Sequence, residues 1–246
     1  MTKLNTILSA GLLTLCSGLQ SCDTCDNDGI YLWQPTALVT VCPQSDESVL
    51  FQLDDETTLN PVNIKKSPYG KKEVRALVNY TPVKENDANT ASPIVDVHVH
   101  WVDSIRTKMP VSITNPEDYA DFANDPVEIV KDWVTVAEDG YLTLRVRTFW
   151  SPGHKHSIDL LYDASAATPL TFELRHNAEG DFNIDMGDAL VAFNLNEVIA
   201  DMPQPVTITL KWNSFSGEKS TKFSLNGRKA AIQDNASKPT YSNLIN

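Results

Sequence analysis

Residues 141–150 have the sequence YLTLRVRTFW. Every second residue from Leu142 to Val146 is apolar, and the residues between them are Thr and Arg. Because side chains of a β-strand point alternately to its two faces, this pattern predicts a strand with one buried and one wet face. The flanking pairs Asp139-Gly140 and Pro152-Gly153 are turn formers, so the strand is expected to end on both sides.

Similar short runs, alternating or rich in β-branched residues, occur along the chain after residue 36. They cover residues 37–42, 49–53, 74–80, 94–102, 133–136, 141–150, 157–162, 170–175, 189–195, 206–212 and 221–225. No stretch keeps a helical period, although residues 116–123 and 195–201 are each long enough for a turn or two of helix. About eleven short strands at this spacing predict an all-β fold, built as a barrel or a sandwich.

A change in charge divides these strands into two groups. Residues 36–110 contain eight Lys or Arg and ten Asp or Glu, whereas residues 115–228 contain nine and eighteen. The connecting segment is acidic and bounded by prolines at Pro116 and Pro126. We therefore place a domain boundary near Asn115.

The two groups differ in size as well as charge. Residues 36–114 hold four or five predicted strands, the size of a small, partly open barrel such as the OB-fold. Residues 115–228 hold about seven and predict a β-sandwich. Residues 229–246 are polar without periodicity, and we expect a disordered tail.

The start of the chain has the features of an exported lipoprotein. A basic start ending at Lys3 precedes an apolar run at 4–19, shorter than the about 20 residues that span a bilayer. The run ends in LQSC at 19–22, which resembles a lipobox. We predict a signal peptide at 1–21 and lipid on Cys22, as a diacylglyceryl group plus an acyl chain such as palmitate, because several chains anchor better than one. The alternative is a secreted protein cut at a nearby small residue.

Residues 22–35 are expected to form a short, lipidated, acidic tether. The sequence CDTCDNDG at 22–29 resembles an acidic signal that directs lipoproteins of some Gram-negative anaerobes to the outer face of the outer membrane. A solvated linker with incidental charge is the alternative. We therefore expect the protein at the outer membrane, facing either the cell surface or the periplasm.

The acidic composition restricts the partners. The formal net charge is −12, and loss of Lys3 with the signal peptide makes the remaining chain more negative. Nucleic acids and anionic membrane surfaces are bound through Lys and Arg, so neither is an expected partner. Of the four cysteines, Cys16 leaves with the signal and Cys22 takes the lipid. Cys25 and Cys42 remain, either as a disulfide of an oxidising compartment or as free thiols.

A family resemblance rests on five segments. LTLRV at 142–146, HSIDLLY at 156–162 and LRHNAEGD at 174–181 look like the C-terminal domain of NigD-like lipoproteins. LVTV at 38–41 and DDETTL at 54–59 are similar to that family's N-terminal OB-type domain. The resemblance implies a lipid-anchored, two-domain, all-β protein. It implies no general activity, but the family's name comes from a bacteriocin gene cluster, which adds a toxin to the expected partners.

Histidine pairs are the main candidates for a metal site. Asp96, His98 and His100 alternate along a predicted strand and leave its same face, where two imidazoles and a carboxylate suit zinc. The wet face of a half-buried strand explains the same residues more simply. His154 and His156 lie beside a turn, where a zinc or copper site competes with a plain exposed loop. We expect no bound cofactor.

A second candidate is a calcium loop. Asp181, Asn183 and Asp185 resemble the opening of an EF-hand, but Gly187 comes one place late and Ala192 stands where a bidentate Glu is required. An edge strand with an apolar inner face explains this segment without calcium.

Two charged clusters remain. RHN at 175–177 predicts a strand end that fixes a hairpin, with ligand contact as the alternative. KKSPYGKK at 65–72 is a basic island that either docks an anionic surface or glycan, or is a solvated hairpin tip. SFSG at 214–217 lacks the leading glycine of a nucleophile elbow, and the chain has no glycine-rich phosphate loop, so we do not expect an enzyme.

These patterns favour a non-enzymatic, lipid-anchored binding module whose partner is another envelope protein, a glycan or a toxin. Two alternatives stay open: a structural envelope lipoprotein, and metal handling through the pairs His98/His100 and His154/His156.

Overall fold

The computed structural model describes residues 34–83, 93–165, 170–181 and 185–228. These residues form fifteen β-strands and two short helices, which confirms the all-β fold. No helix within this part of the chain has the length and apolar character needed to cross a bilayer. The predicted signal peptide, the tether up to residue 33 and the predicted tail at 229–246 lie outside the described residues.

The first five strands close into a barrel. They are β1 (Ala37–Pro43), β2 (Val49–Gln52), β3 (Thr58–Pro61), β4 (Val74–Pro82) and β5 (Ile94–Ser104). The hydrogen-bonded order is β1-β2-β3-β5-β4, and β1 pairs with β4 to complete the ring. β3 and β5 are parallel, whereas the other pairs are antiparallel. A five-stranded barrel is the architecture of an OB domain, but here the ring is closed rather than partly open as expected.

The barrel interior follows directly from alternation in the sequence. Val39 and Val41 of β1 are fully buried, and they pack with Phe51 of β2 and with Val97 and Val99 of β5. The intervening residues of β1 are also shielded, because the outer face of this strand lies against the second domain. β1 therefore belongs to two cores at once.

The second domain is a sandwich of two five-stranded sheets. Its strands are β6 (Arg106–Lys108), β7 (Val111–Ile113), β8 (Glu128–Val130), β9 (Val136–Glu138), β10 (Tyr141–Phe149), β11 (Ser157–Asp163), β12 (Thr171–Asn177), β13 (Met186–Asn194), β14 (Val206–Ser214) and β15 (Gly217–Leu225). One sheet has the order β6-β13-β10-β8, with β9 also paired to β10, and the other has the order β15-β14-β12-β11-β7. Leu142, Leu144 and Val146 of β10 face Phe172 and Leu210 of the opposite sheet in the main core.

The structure adds strands that the sequence pattern did not predict. β6, β7 and β8 have three residues each, too few for alternation to be recognised. The strand predicted at 133–136 is wrong in its position, because residues 132–135 form a turn and β9 begins only at Val136. β6 pairs in parallel with β13 and β7 in parallel with β11, so both belong to the sandwich. The expected boundary near Asn115 therefore falls after two strands that the sandwich already contains, and the barrel ends with β5 at Ser104.

The two short helices lie where the sequence allowed them. A 3-10 helix covers Pro116–Asp121, and α1 covers Asn196–Ile199. α1 follows β13 and buries Ile199 in the sandwich core.

The barrel packs on one end of the sandwich. Leu38 of β1 and Ile105 form a small apolar cluster with Val134, Tyr141 and Ala192 of the sandwich. Tyr141 begins β10, and eight residues later Phe149 ends it, which corresponds to about 26 Å at about 3.3 Å per residue. We call the end of the sandwich at Phe149, away from the barrel, the distal tip.

Candidate functional site

The distal tip carries an exposed apolar patch. Trp150, Met186 and Phe215 are 43%, 52% and 42% exposed, although large apolar side chains are usually buried. Phe149 joins them, since its ring meets the Phe215 ring edge to face at a centroid distance of 5.0 Å. We refer to these four residues as the tip patch. They come from the end of β10, the start of β13 and the β14–β15 turn.

Trp150 is held in place although it is exposed. Its Nε1–H donates to the carbonyl oxygen of His154 at 3.0 Å, and its own backbone N–H donates to the Asp185 carbonyl at 2.9 Å. A Cβ atom on Gly187 would lie 3.4 Å from the indole ring, so the glycine allows this close packing. A fixed aromatic surface loses little conformational freedom when a partner binds.

Below the patch, a chain of polar contacts runs through the tip. The backbone N–H and the hydroxyl of Ser151 donate to the Asp181 carboxylate at 2.6 and 2.7 Å. Asp181 Oδ2 lies 3.3 Å from Nε2 of His156, and Nδ1 of His156 lies 3.0 Å from Nε2 of His176. Nδ1 of His176 lies 3.2 Å from the carbonyl oxygen of Pro126. The three side chains His156, His176 and Asp181 are all nearly buried.

The carbonyl of Pro126 restricts the proton positions on the two histidines. A carbonyl only accepts, so His176 donates from Nδ1 and, when neutral, accepts at Nε2. His156 then donates from Nδ1 to His176, and its Nε2 faces the Asp181 carboxylate.

The surroundings of His176 also change its pKa. Burial lowers the pKa of His176 below its usual value, and the neighbouring charge of His156 lowers it further. His176 therefore stays neutral where an exposed histidine would begin to take up a proton.

A second polar network joins the barrel to the sandwich. Asp139, in the turn between β9 and β10, is buried and accepts from the Thr40 hydroxyl at 2.7 Å and from Arg228 at 2.6 and 2.8 Å. Arg75 of β4 is fully buried and donates to Thr40 at 3.0 Å and to Glu138 at 2.5 Å. In this network Asp139 is paired with Arg228, and Arg75 is paired with Glu138. Because each buried charge has a partner of opposite charge, we assign the network a structural role.

The two predicted histidine pairs lie on different domains, so they do not form one site. Asp96, His98 and His100 are exposed on the outer face of β5, and Asp96 accepts from the side-chain amide of Asn60 at 2.8 Å. His154 and His156 lie at the distal tip, on the other domain. No three His, Cys, Asp or Glu residues within the described ranges could hold one metal ion. The geometry of Asp96, His98 and His100 is that of a wet strand face.

The remaining predicted clusters take structural positions. Asp181, expected at the start of an edge strand, turns inward to Ser151 and His156, while Asn183 lies outside the described residues. Arg175 pairs with Glu173 at 2.6 Å and lies over the ring of Tyr119. The other two members of that cluster, His176 and Asn177, enter the tip chain and the following turn.

The basic island at 65–72 forms the exposed connection between β3 and β4. Lys66 pairs with Glu47, and Tyr69 donates its hydroxyl to the Val102 carbonyl at 3.2 Å. Because the Tyr69 ring packs on the barrel core, it does not point outward from the basic island toward a ligand. These contacts favour the solvated-loop interpretation.

The anchoring predictions fall outside the described residues. Cys22 and Cys25 both lie there, so the lipid site and the Cys25–Cys42 disulfide stay predictions. Cys42 itself is half-buried at the end of β1, and its thiol lies 3.5 Å from the carbonyl oxygen of Thr40. Burial raises the pKa of Cys42 to about 12.

Comparison of the sequence with known families gives two matches. Residues 38–105 match the NigD-like N-terminal OB domain, and residues 110–225 match the NigD-like C-terminal beta sandwich domain. Together these matches span most of the chain. The chain belongs to the NigD-like family. The resemblance inferred from the sequence is confirmed, and the gap between the two matches, residues 106–109, contains β6. No curated protein matches this NigD-like chain.

Several solved structures share the whole two-domain fold. A Parabacteroides distasonis protein provisionally described as toxin-related is 27% identical, with a TM-score of 0.61 over 77% of this chain and 92% of that chain. A NigD-like immunity protein from Bacteroides caccae is 21% identical, with a TM-score of 0.55 over 76% and 91%. A Bacteroides fragilis protein provisionally described as a lipoprotein is 13% identical, with a TM-score of 0.57 over 78% and 98%. At the two lower identities, the likeness concerns the fold.

Sequence reasoning missed the residues that define the tip. Phe149 and Trp150 were assigned to a strand, and Phe215 appeared only within a rejected catalytic motif. A usable signal was present, since FW at 149–150 and SFSG at 214–217 both place aromatic residues directly at turns. The pairing of His156 with His176 had no sequence signal, because two separate strands bring them together.

Proposed function

We propose that this protein is a lipid-anchored, non-enzymatic binding protein of the bacterial envelope, and that the tip patch binds a protein partner. The observations that carry the proposal are the exposure of Trp150, Met186 and Phe215 at this end of the sandwich, and the position of Phe149 opposite Met186 and against the Phe215 ring. Aromatic residues and Met are enriched in the centres of protein–protein interfaces, where a few of them supply most of the binding energy.

The position of the patch supports this proposal. The described chain enters the fold at the barrel, where Thr36 donates to the Val78 carbonyl before β1 begins. A lipid on Cys22 would hold the barrel nearest to the membrane, and the sandwich would then carry the patch farther away. The network around Asp139 ties the two domains together, so the sandwich is a rigid support for the patch.

The relatives favour a protein partner over a glycan. One relative is provisionally named as toxin-related and another is named as a NigD-like immunity protein, and neither name refers to a glycan. The fold shared with a described lipoprotein agrees with anchoring in the envelope.

Anchoring is tested by metabolic labelling with a lipid analogue, comparing the wild-type chain with Cys22→Ala. We expect label on the wild type alone, and label retained by Cys22→Ala would contradict the anchor. Protease added to intact cells then distinguishes a surface-exposed protein, which is digested, from a periplasmic one, which is protected.

Partner binding is tested by placing a photo-activated cross-linking residue at Phe215 or Met186 in living cells, with Val62 as the control. Val62 is exposed to a similar degree but lies on the barrel. We expect the same adduct from both tip positions, its absence from Val62, and its loss when Trp150→Ala is added. Equal adducts from tip and barrel, or none from the tip, would contradict the proposal.

A further inference from the structure

The open edge of the sandwich contains a small cavity that the tip patch does not include. Its volume is about 270 Å³, and it lies between β8 and the following turn on one sheet and β14–β15 on the other. Its lining combines three apolar side chains, Ile129, Trp212 and Phe223, with four polar ones, Lys131, Asp132, Thr135 and Thr221.

The inner face of β15 changes character at this cavity. Leu225 and Phe223 face the core beside Val206 and Ile208 of β14, and the next inward residue, opposite Leu210, is Thr221. A strand that only closed an apolar core would continue with an apolar residue here. The exchange for a hydroxyl therefore indicates a place where polar groups enter the sandwich.

The acceptors of this cavity are already in use. Asp132 accepts from the Val134 and Thr135 backbone N–H groups and from Arg145 at 2.8 Å. The Thr135 hydroxyl donates to the Val130 carbonyl at 2.6 Å and accepts from the backbone N–H of Arg145 at 3.1 Å. Neither side chain requires a further donor.

The donors, in contrast, are unused. Trp212 is 6% exposed, and its indole N–H is buried without an acceptor. Lys131 is exposed and Thr221 is half-buried, and within the described part of the chain neither the Lys131 ammonium nor the Thr221 hydroxyl has a hydrogen bond or ion pair. The Trp212 N–H marks a polar position inside the sandwich that lacks an acceptor, which is unfavourable, while Lys131 and Thr221 are accessible donors at the same cavity.

We propose that this cavity binds a small organic carboxylate with an apolar body. The body would lie against Ile129 and Phe223, and the carboxylate would accept from Lys131 and Thr221. The cavity is slightly smaller than the about 300–1,000 Å³ of pockets for drug-sized ligands, which favours a ligand below that size. This site is independent of the proposed function of the tip patch.

The test uses octanoate as the probe and octanol as its uncharged counterpart. Titration calorimetry and the melting temperature of the purified chain report binding, and we expect saturable binding of octanoate with a single site. Lys131→Met should weaken it by roughly tenfold or more, because a charge-assisted hydrogen bond is lost. Lys72→Met, an exposed lysine on the barrel, is the matched control and should bind as the wild type does.

Two further variants separate the cavity from surface adsorption. Thr221→Phe fills the cavity and should abolish binding, and far-UV circular dichroism checks that this variant is folded. Thr221→Val keeps the shape but removes the hydroxyl, so it should weaken octanoate binding and leave octanol binding unchanged. The proposal is overturned if octanoate does not bind, if octanol binds equally well, or if folded Thr221→Phe still binds.

Discussion

Arg228 binds the carboxylate of Asp139 through two nitrogens, with Nε at 2.8 Å and Nη2 at 2.6 Å. Arg228 follows the last strand, whereas Asp139 lies in the turn after β9, and the same carboxylate also accepts from Thr40 of the barrel. The buried Asp139 carboxylate thus connects β1 of the barrel, the turn between β9 and β10, and the segment that follows β15.

Removal of this arginine should destabilise the whole fold. Arg228→Met leaves the Asp139 carboxylate buried with only Thr40 and the turn around it, and an unpaired buried charge costs about 3 kcal/mol or more. The measurement is the free energy of unfolding in urea. Lys222→Met, which changes an exposed lysine of β15, should stay within about 0.5 kcal/mol of the wild type. Equal effects of the two variants would show that the network contributes nothing to stability.

Gly140 should be far less tolerant of alanine than Gly180. Both have a left-handed backbone, with φ of 74° and 77°, so each Gly→Ala change carries a backbone cost of about 1–2 kcal/mol. Only at Gly140 would the new Cβ come within 2.0 Å of the Asn196 side chain, whereas Gly180 faces open space. Asn196 also binds the Asp139 carbonyl and the Arg228 N–H, so the displacement disturbs the interdomain network.

We therefore expect Gly140→Ala to lower the free energy of unfolding by at least about 1 kcal/mol more than Gly180→Ala does. The comparison controls for the backbone cost, since it is common to both variants. Indistinguishable unfolding curves would mean that Asn196 moves aside freely.

Mild acid should destabilise the protein through His176. Its pKa is lowered in the folded state, so between that value and about 6.5 the unfolded chain binds more protons than the folded one. This contribution to stability is present at pH 7 and is lost as the pH falls below about 6.5. Urea unfolding at a series of pH values measures the slope.

Two variants identify the group responsible. His176→Gln should be less stable at pH 7 but should lose less stability on acidification than the wild type. His98→Gln changes an exposed histidine of the barrel and should keep the wild-type slope. A slope unchanged in His176→Gln would assign the acid sensitivity to another group.

Cys42 should react slowly with alkylating reagents in the folded protein. Burial raises its pKa to about 12, so little thiolate is present at neutral pH, and the thiolate is the reactive form. Mass spectrometry after iodoacetamide treatment should show modification of Cys42 only once the chain is unfolded. Rapid modification of the folded chain would contradict the burial of this thiol.

The same experiment tests the predicted disulfide. If Cys25 and Cys42 are bridged, unfolding without a reductant leaves Cys42 unmodified, and prior reduction restores its reaction. If Cys42 is a free thiol, unfolding alone is sufficient.

Much of the fold was predictable because strand alternation is a local property. The pattern of β10, in which Leu142, Leu144 and Val146 are buried, follows from the period of two, and the turn at Asp139-Gly140 follows from residues that accept positive φ. The strands of three residues, such as β6 and β7, were not predictable. Their pairing depends on partners far along the chain rather than on their own composition.

The candidate sites show the same division. That Asp96, His98 and His100 share one strand face follows from their spacing, and the structure agrees. That His156 meets His176 and Asp181 depends on how β11, β12 and the turn after β12 are arranged, which no spacing reveals. The cavity beside Trp212 likewise needs two sheets, since its walls come from both.

The sequence by itself determined that this chain is all-β, that it has two domains of the NigD-like type, and that its first residues predict a lipid anchor. These properties depend on short-range patterns: alternation, turn residues and a lipobox-like motif. Only the tertiary structure decided which polar groups are buried together and which aromatic residues stay exposed. Both depend on the pairing of strands distant in sequence, because desolvation and solvent exposure are properties of the packed chain and not of any one segment.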